Sequence, residues 1–237
     1  MNLHSTICVV TGGTQGIGRA IALALAGRGA RVAICARDQE GVVQALGDLE
    51  RTGATAVGAA CDVSREADVE RFAKLVRSEL GDPDVLINNA GIGHFAPIGD
   101  LTVAQIDQTY ATNVRGIFLM TRAFLPAMLQ RQSGHIVNIA SLAGKNGFVG
   151  GTAYTASKHA VLGLSKSLML EVRDRNVRVI AICPGSVETR FASSAGGSSS
   201  APGRVLTSED VAQAVVATLE APDRAMISEL DIRPTRI

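Results

Sequence analysis

The sequence predicts a single doubly wound α/β domain spanning residues 1–237, a parallel sheet of about seven strands with helices on both faces. Apolar runs of strand length alternate with helix-periodic stretches along the whole chain. Such alternation implies parallel strands joined by right-handed crossovers. The runs are apolar at nearly every position, as strands buried on both faces are. No linker interrupts the alternation in a way that would divide it into two units.

The first strand is expected over Thr6–Thr11, followed by an Ala/Leu-rich helix over Ile17–Arg28. Arg31–Ala36 is the second apolar run, with helical spacing over Gln39–Arg51 after it. Thr55–Ala60 and the helix Ala67–Leu80 form the third unit. Val85–Ile87 is a short fourth strand, bounded by Asp82-Pro83 and Asn88-Asn89, which mark turns. One long helical region is expected over Val103–Leu129, then a strand over His135–Ala140. A helix containing Tyr154, a strand over Val177–Ile182, a helix over Glu209–Leu219 and a short strand near Ser228–Ile232 complete the chain.

Composition narrows the function. The net charge is +1 and Lys and Arg form no cluster, which excludes nucleic acid and an anionic membrane surface as expected partners. No stretch approaches the roughly 18 apolar residues of a membrane helix, and no signal peptide is expected ahead of Ile7. Cys8, Cys35, Cys61 and Cys183 are far apart and lie in or beside apolar runs. They are expected as buried free thiols in a reducing cytoplasm, with no zinc. His4, His94, His135 and His159 show no ligand spacing, and no metal is expected.

In a doubly wound sheet, ligands bind beyond the carboxyl ends of the strands. After the first strand comes Thr11-Gly12-Gly13-Thr14-Gln15-Gly16-Ile17-Gly18, a G-x-x-x-G-x-G turn opening a helix. Glycines allow close backbone approach, and a helix N-terminus offers N–H groups to a pyrophosphate. The second strand ends Cys35-Ala36-Arg37-Asp38. An acidic side chain there accepts from ribose and favours NAD, whereas a guanidinium suits a 2′-phosphate. Arg37 therefore points to NADP(H), and Asp38 either turns inward or stays outside. After the third strand, Asp62, followed by Val63, either accepts from an adenine amino group or caps the next segment. Asn88-Asn89-Ala90-Gly91 follows the fourth strand, where paired amides can tie neighbouring loops together.

Asn113 falls inside a helical pattern, where it is a poor choice, and a local helix break would explain it. Ser141 follows the fifth strand, where its hydroxyl either donates to a substrate oxygen or caps a turn. Tyr154 and Lys158 lie four residues apart on a predicted helix, hence on one face. A phenol beside an ammonium is expected to have its pKa lowered toward neutrality, which suits proton donation to a carbonyl oxygen. After the sixth strand, Pro184, Gly185, Val187 and Thr189 form a turn whose backbone can face a nicotinamide carboxamide. Residues 190–204 are Ser/Gly-rich and read either as a mobile substrate lid or as a plain surface loop.

Together these residues resemble the short-chain dehydrogenase/reductase family, over most of the chain up to Thr189. The T-G-x-x-x-G-x-G turn, N-N-A-G segment and P-G turn are matched by Thr11–Gly18, Asn88–Gly91 and Pro184-Gly185. The resemblance implies a catalytic set of Asn113, Ser141, Tyr154 and Lys158, and an adenine-pocket role for Asp62. It also implies that Lys158 holds the nicotinamide ribose hydroxyls. Within the family the chain looks most like the 3-oxoacyl-carrier-protein reductase type. The implied activity is hydride transfer between NADP(H) and a carbonyl or secondary alcohol, a carrier-bound 3-oxoacyl thioester included. An NAD-dependent alcohol dehydrogenase and a non-catalytic dinucleotide sensor are the alternatives. A homotetramer or homodimer, formed through the Tyr154 helix and the long helix before it, is the family expectation.

Overall fold

The computed structural model describes residues 1–189, 191 and 205–235. Its strands are β1 Ile7–Thr11, β2 Arg31–Ala36, β3 Ala56–Ala60, β4 Val85–Asn88, β5 Gly134–Ile139, β6 Val177–Pro184 and β7 Glu229–Ile232. They form one sheet in the order β3-β2-β1-β4-β5-β6-β7, and every pairing is parallel. The predicted sheet is therefore the observed one.

Side chains along each strand divide between two apolar layers with period two. In β1, Cys8 and Val10 enter one layer, and Ile7 and Val9 the other. The first layer is closed by α1 (Gly16–Ala26), α2 (Gln39–Glu50) and α7 (Ser208–Leu219), through Ile21, Leu25, Leu49, Val211 and Val215. The second is closed by α3 (Glu66–Glu79), α5 (Gly116–Arg131) and α6 (Thr152–Val172), through Phe72, Val76, Phe124, Met128 and Val172. Each large side chain buried in this way contributes roughly 1.5–3 kcal/mol. Phe124→Ala alone would cost about 3–5 kcal/mol.

Helix starts follow local chemistry. The Asp38 carboxylate accepts from the Gly41 N–H at 3.0 Å and caps α2, so Asp38 is occupied at the helix start. Thr102 and Gln105 form a capping box at α4 (Val103–Tyr110), and Thr207 and Asp210 form another at α7.

The region expected as one helix from Val103 to Leu129 is divided. Between α4 and α5 lies a five-residue π-helical turn, Ala111–Arg115, with Asn113 at its centre. An interior Asn competes with the helix for its hydrogen bonds, and here the side chain finds partners outside the helix. The predicted local break is thus present.

The chain runs outward from β1 to β3, then returns to the other side of β1 and runs from β4 to β7. The order reverses between β1 and β4, and the loops diverge there at their carboxyl ends. All four cysteines are free and buried. Among the described residues no helix is long and apolar enough to cross a membrane, and no His, Cys, Asp or Glu cluster could hold a metal ion.

Candidate active site

A cleft of about 540 Å³ opens at the switch point. Its walls are the Gly12–Gly18 turn, Cys35 to Asp38, Cys61 to Val63, Asn89 to His94, and Gln108, Thr112, Thr189 and Phe191. One latch holds the two central loops together. The Thr11 hydroxyl oxygen accepts from the N–H groups of Asn89 and Ala90 at 2.9 and 3.0 Å. The Asn89 amide donates back to the Thr11 carbonyl at 2.9 Å. Of the paired amides, Asn89 ties the loops, while the Asn88 side chain turns inward to Asn138.

The glycine turn fits a phosphate chain for steric reasons. Gly16 has φ +51°, a left-handed conformation that favours glycine, and a Cβ there would approach the Thr189 methyl at 3.4 Å. Gly18 lies against the Gly12 carbonyl oxygen and the Asn89 amide, leaving no room for a side chain. The N-terminus of α1 has no side-chain cap and no acid in its first turn, so its N–H groups and positive dipole face the cleft unopposed.

At the far end, Arg37 is exposed, lines the cleft and makes no ion pair among the described residues. Asp62 caps the following turn. One of its oxygens accepts from the Ser64 N–H and hydroxyl at 3.0 and 2.7 Å, capping the turn. The same residue also lines the cleft. Gly-rich cradle, open helix start and unpaired guanidinium together fit a dinucleotide carrying an extra phosphate.

The opposite end is built from side chains holding one another. Asn113 is buried and fully used. Its carbonyl oxygen accepts from the Ile92 N–H at 2.8 Å, and its NH₂ donates to the Ile92 carbonyl and the Ser157 hydroxyl, both at 2.9 Å. This pins the loop after β4 against α6. Lys158, buried on α6, donates to the Ile139 carbonyl at 2.8 Å. Its ammonium stands behind Gly91, whose Cβ, if present, would be 3.7 Å away. Burial draws the Lys158 pKa down to about 8.

The spacing argument for a lowered Tyr154 pKa is corrected here. Burial pushes the phenol up to about 12, and what draws it back is a hydrogen bond with the Ser141 hydroxyl. The Lys158 ammonium is 5.7 Å from the Tyr154 ring centroid and is committed to Ile139. Sequence spacing places the pair on one face but carries no information on how deeply that face is buried. Ser141 also accepts from the Ala143 N–H at 3.1 Å, so it caps its turn while facing the phenol.

Of the predicted site residues after β6, Thr189 reaches the cleft. Pro184 ends the strand, Gly185 donates its N–H to Ile232, and Val187 packs on the first apolar layer. The predicted lid over residues 190–204 lies outside the described residues, Phe191 excepted. Sequence reading misses a buried amide chain in which Asn88 donates to Asn138 and Asn138 to Ser165, each at 2.9 Å. It also misses Phe95 and Phe191, whose rings pack on Tyr154, and Phe148, which packs on Phe95. No local signal marks them.

Comparison with known proteins agrees with this geometry. The family model described as short chain dehydrogenase matches residues 6–198. A 3-oxoacyl-[acyl-carrier-protein] reductase of Bos taurus is 37% identical over 220 residues, 91% of this chain and 92% of that one. A 2-(S)-hydroxypropyl-CoM dehydrogenase of Xanthobacter autotrophicus is 37% identical over 227 residues, 90% of this chain and 89% of that one. Among solved structures, a single-substitution variant of actinorhodin polyketide ketoreductase with NADPH superposes with a TM-score of 0.90 at 35% identity, over 97% of this chain and 96% of that one.

Proposed function

The chain belongs to the short-chain dehydrogenase family, and from that premise we propose that it is an NADP(H)-dependent oxidoreductase acting on a carbonyl or secondary alcohol. The observation that carries this reading is the Ser141–Tyr154 hydroxyl pair with Lys158 behind it, set beside a cleft whose other end offers Arg37. Gly12, Thr14 to Gly18, Arg37, Asp62, Val63, Asn89 to Gly91 and Thr189 would hold the dinucleotide, with the turn of Pro184, Gly185 and Val187 supporting Thr189. Bound NADPH supplies the hydride for reduction. The Tyr154 phenol, kept protonated at neutral pH by its raised pKa, gives its proton to the developing alkoxide. Ser141 donates to the same oxygen and stabilises the charge that forms there. Lys158 steadies the ribose hydroxyls and returns a proton toward Tyr154 from a water positioned at the Asn113 turn. Asp38 is taken up in capping α2, which leaves Arg37 to read the 2′-phosphate and favours NADP(H) over NAD.

A 3-oxoacyl thioester belongs to the substrate range on the strength of the bovine relative. A homodimer or homotetramer is supported by Tyr110, Phe118 and Leu170, large apolar side chains exposed on α4, α5 and α6. A cytoplasmic setting is supported by the four free thiols.

The test is Tyr154→Phe, assayed by NADPH absorbance against a panel of ketones. Turnover should fall by roughly 10²–10⁴-fold, the usual share of a general acid, with NADPH binding retained. Turnover at the wild-type level would reject the assignment.

A further inference from the structure

Half of the aromatic side chains in this chain join one cluster that includes the Tyr154 phenol. The sequence has six Phe, two Tyr and no Trp. Phe95, Phe148, Phe191 and Tyr154 meet ring to ring, Phe95 lying 5.4 Å from both Phe148 and Tyr154 and 6.1 Å from Phe191. Phe191 is also 5.5 Å from Tyr154. These are not core residues. Phe72 and Phe124 are fully buried, whereas Phe148 is 45% exposed and Phe95 and Phe191 are half-buried. Large rings, each with roughly 150–250 Å² to bury, left partly in water beside a reacting hydroxyl make an apolar face that a ligand can cover.

The collar is rigid in two places. The Phe148 ring lies against the backbone of Gly151, where a Cβ would overlap it. Gly93 sits beneath two rings at once, its Cβ position 2.9 Å from Phe95 and 3.1 Å from Phe191. Interplanar angles of 87°, 75° and 71° about Phe95 present ring edges to ring faces, the geometry aromatic pairs prefer.

We propose that Phe95, Phe148 and Phe191 are the specificity-determining face of the site, and that it selects planar ketones conjugated to a ring over flexible aliphatic ones. This rests on the reading that Tyr154 protonates a carbonyl oxygen. A partly exposed face of rings favours a rigid, flat ligand because little rotamer freedom is lost on binding.

Acetophenone and octan-2-one, equal in carbon number, separate the two classes. With NADPH, kcat/KM should favour acetophenone by about tenfold or more, and Phe95→Leu and Phe148→Leu should each lower that ratio by roughly three- to tenfold. Leucine keeps the position apolar, so loss of packing alone would not move the ratio. Saturation-transfer NMR of the wild-type protein with NADP⁺ should show acetophenone ring protons in contact and octan-2-one not. If acetophenone binds but neither ketone turns over, the oxidoreductase reading fails and the collar stands. If octan-2-one, or the N-acetylcysteamine thioester of a linear 3-oxoacid, turns over as well as acetophenone and the leucine variants leave the ratio unchanged, the collar is overturned and the oxidoreductase reading stands.

Discussion

After β1 the cleft is shaped by a glycine turn, whereas beside it, around α4, β5 and α6, side chains hold one another in place. In the first region glycine does the shaping: Gly16 supplies a left-handed turn and Gly18 a contact too close for any Cβ. In the second, Asn113, Ser157, Lys158 and the aromatic collar fix positions by hydrogen bonds and ring contacts. The difference separates two tasks. A nucleotide is the same molecule at every turnover and can be met by an invariant backbone surface. A proton must be held at a chosen pKa and a substrate chosen by shape, and both require side chains.

Three changes would break or sharpen this contrast. The largest effect is expected from Gly18→Ala. A methyl there overlaps the Gly12 carbonyl oxygen, and overpacking of backbone on backbone should destabilise the fold by about 3 kcal/mol. Urea unfolding would read this as a lowered midpoint, and an unshifted midpoint would mean that the turn is softer than its contacts indicate.

Next comes Lys158→Met, which tests the region built from side chains through its pH dependence. In the nucleotide-free protein, burial holds the Lys158 pKa at about 8, below the 10.5 of an unfolded lysine. Between these values the unfolded chain binds a proton that the folded chain does not, so stability rises with pH across that window. The buried ammonium therefore disfavours folding below about pH 8, and this penalty fades by pH 10.5. Relative to Lys158→Met, the wild type should gain on the order of 2–3 kcal/mol across that window. A difference independent of pH would show that Lys158 titrates as an ordinary lysine.

The smallest effect is expected at Arg37, where a side chain works in the backbone-built region. Arg37→Ala should lower the NADPH over NADH preference in kcat/KM by about tenfold, or ~1.4 kcal/mol. An unchanged preference would make Arg37 a solvated surface residue.

The two regions also differ in how legible they are. Glycine spacing, strand-end amides and strand–helix alternation are local signals, and Thr11–Gly18, Asn88–Gly91 and the seven strands can be read from them. Asn113 is visible because it violates helix propensity where it stands. Phe95, Phe148 and Phe191 come from three separate segments, each unremarkable in its own neighbourhood, and only folding gathers them into one cluster with Tyr154. Asn138 and Ser165 read as ordinary strand and helix residues because nothing local shows that they bond each other in the interior. The Tyr154 pKa escapes the sequence for a related reason. Spacing shows which groups are neighbours, but the sign of the shift depends on how much water remains.

The π-helical turn at Ala111–Arg115 also acts as a phase shifter. It carries about one residue more per turn than an α-helix, and each residue advances the helix by about 100°. Everything after it is set by that one extra step: with it, Phe124 and Met128 of α5 reach the apolar layer while Asn113 reaches Ile92 and Ser157. Removing a single residue there would straighten the helix and rotate its whole downstream half. Core packing and the Asn113 contacts would then be lost together, as two readings of the same frame.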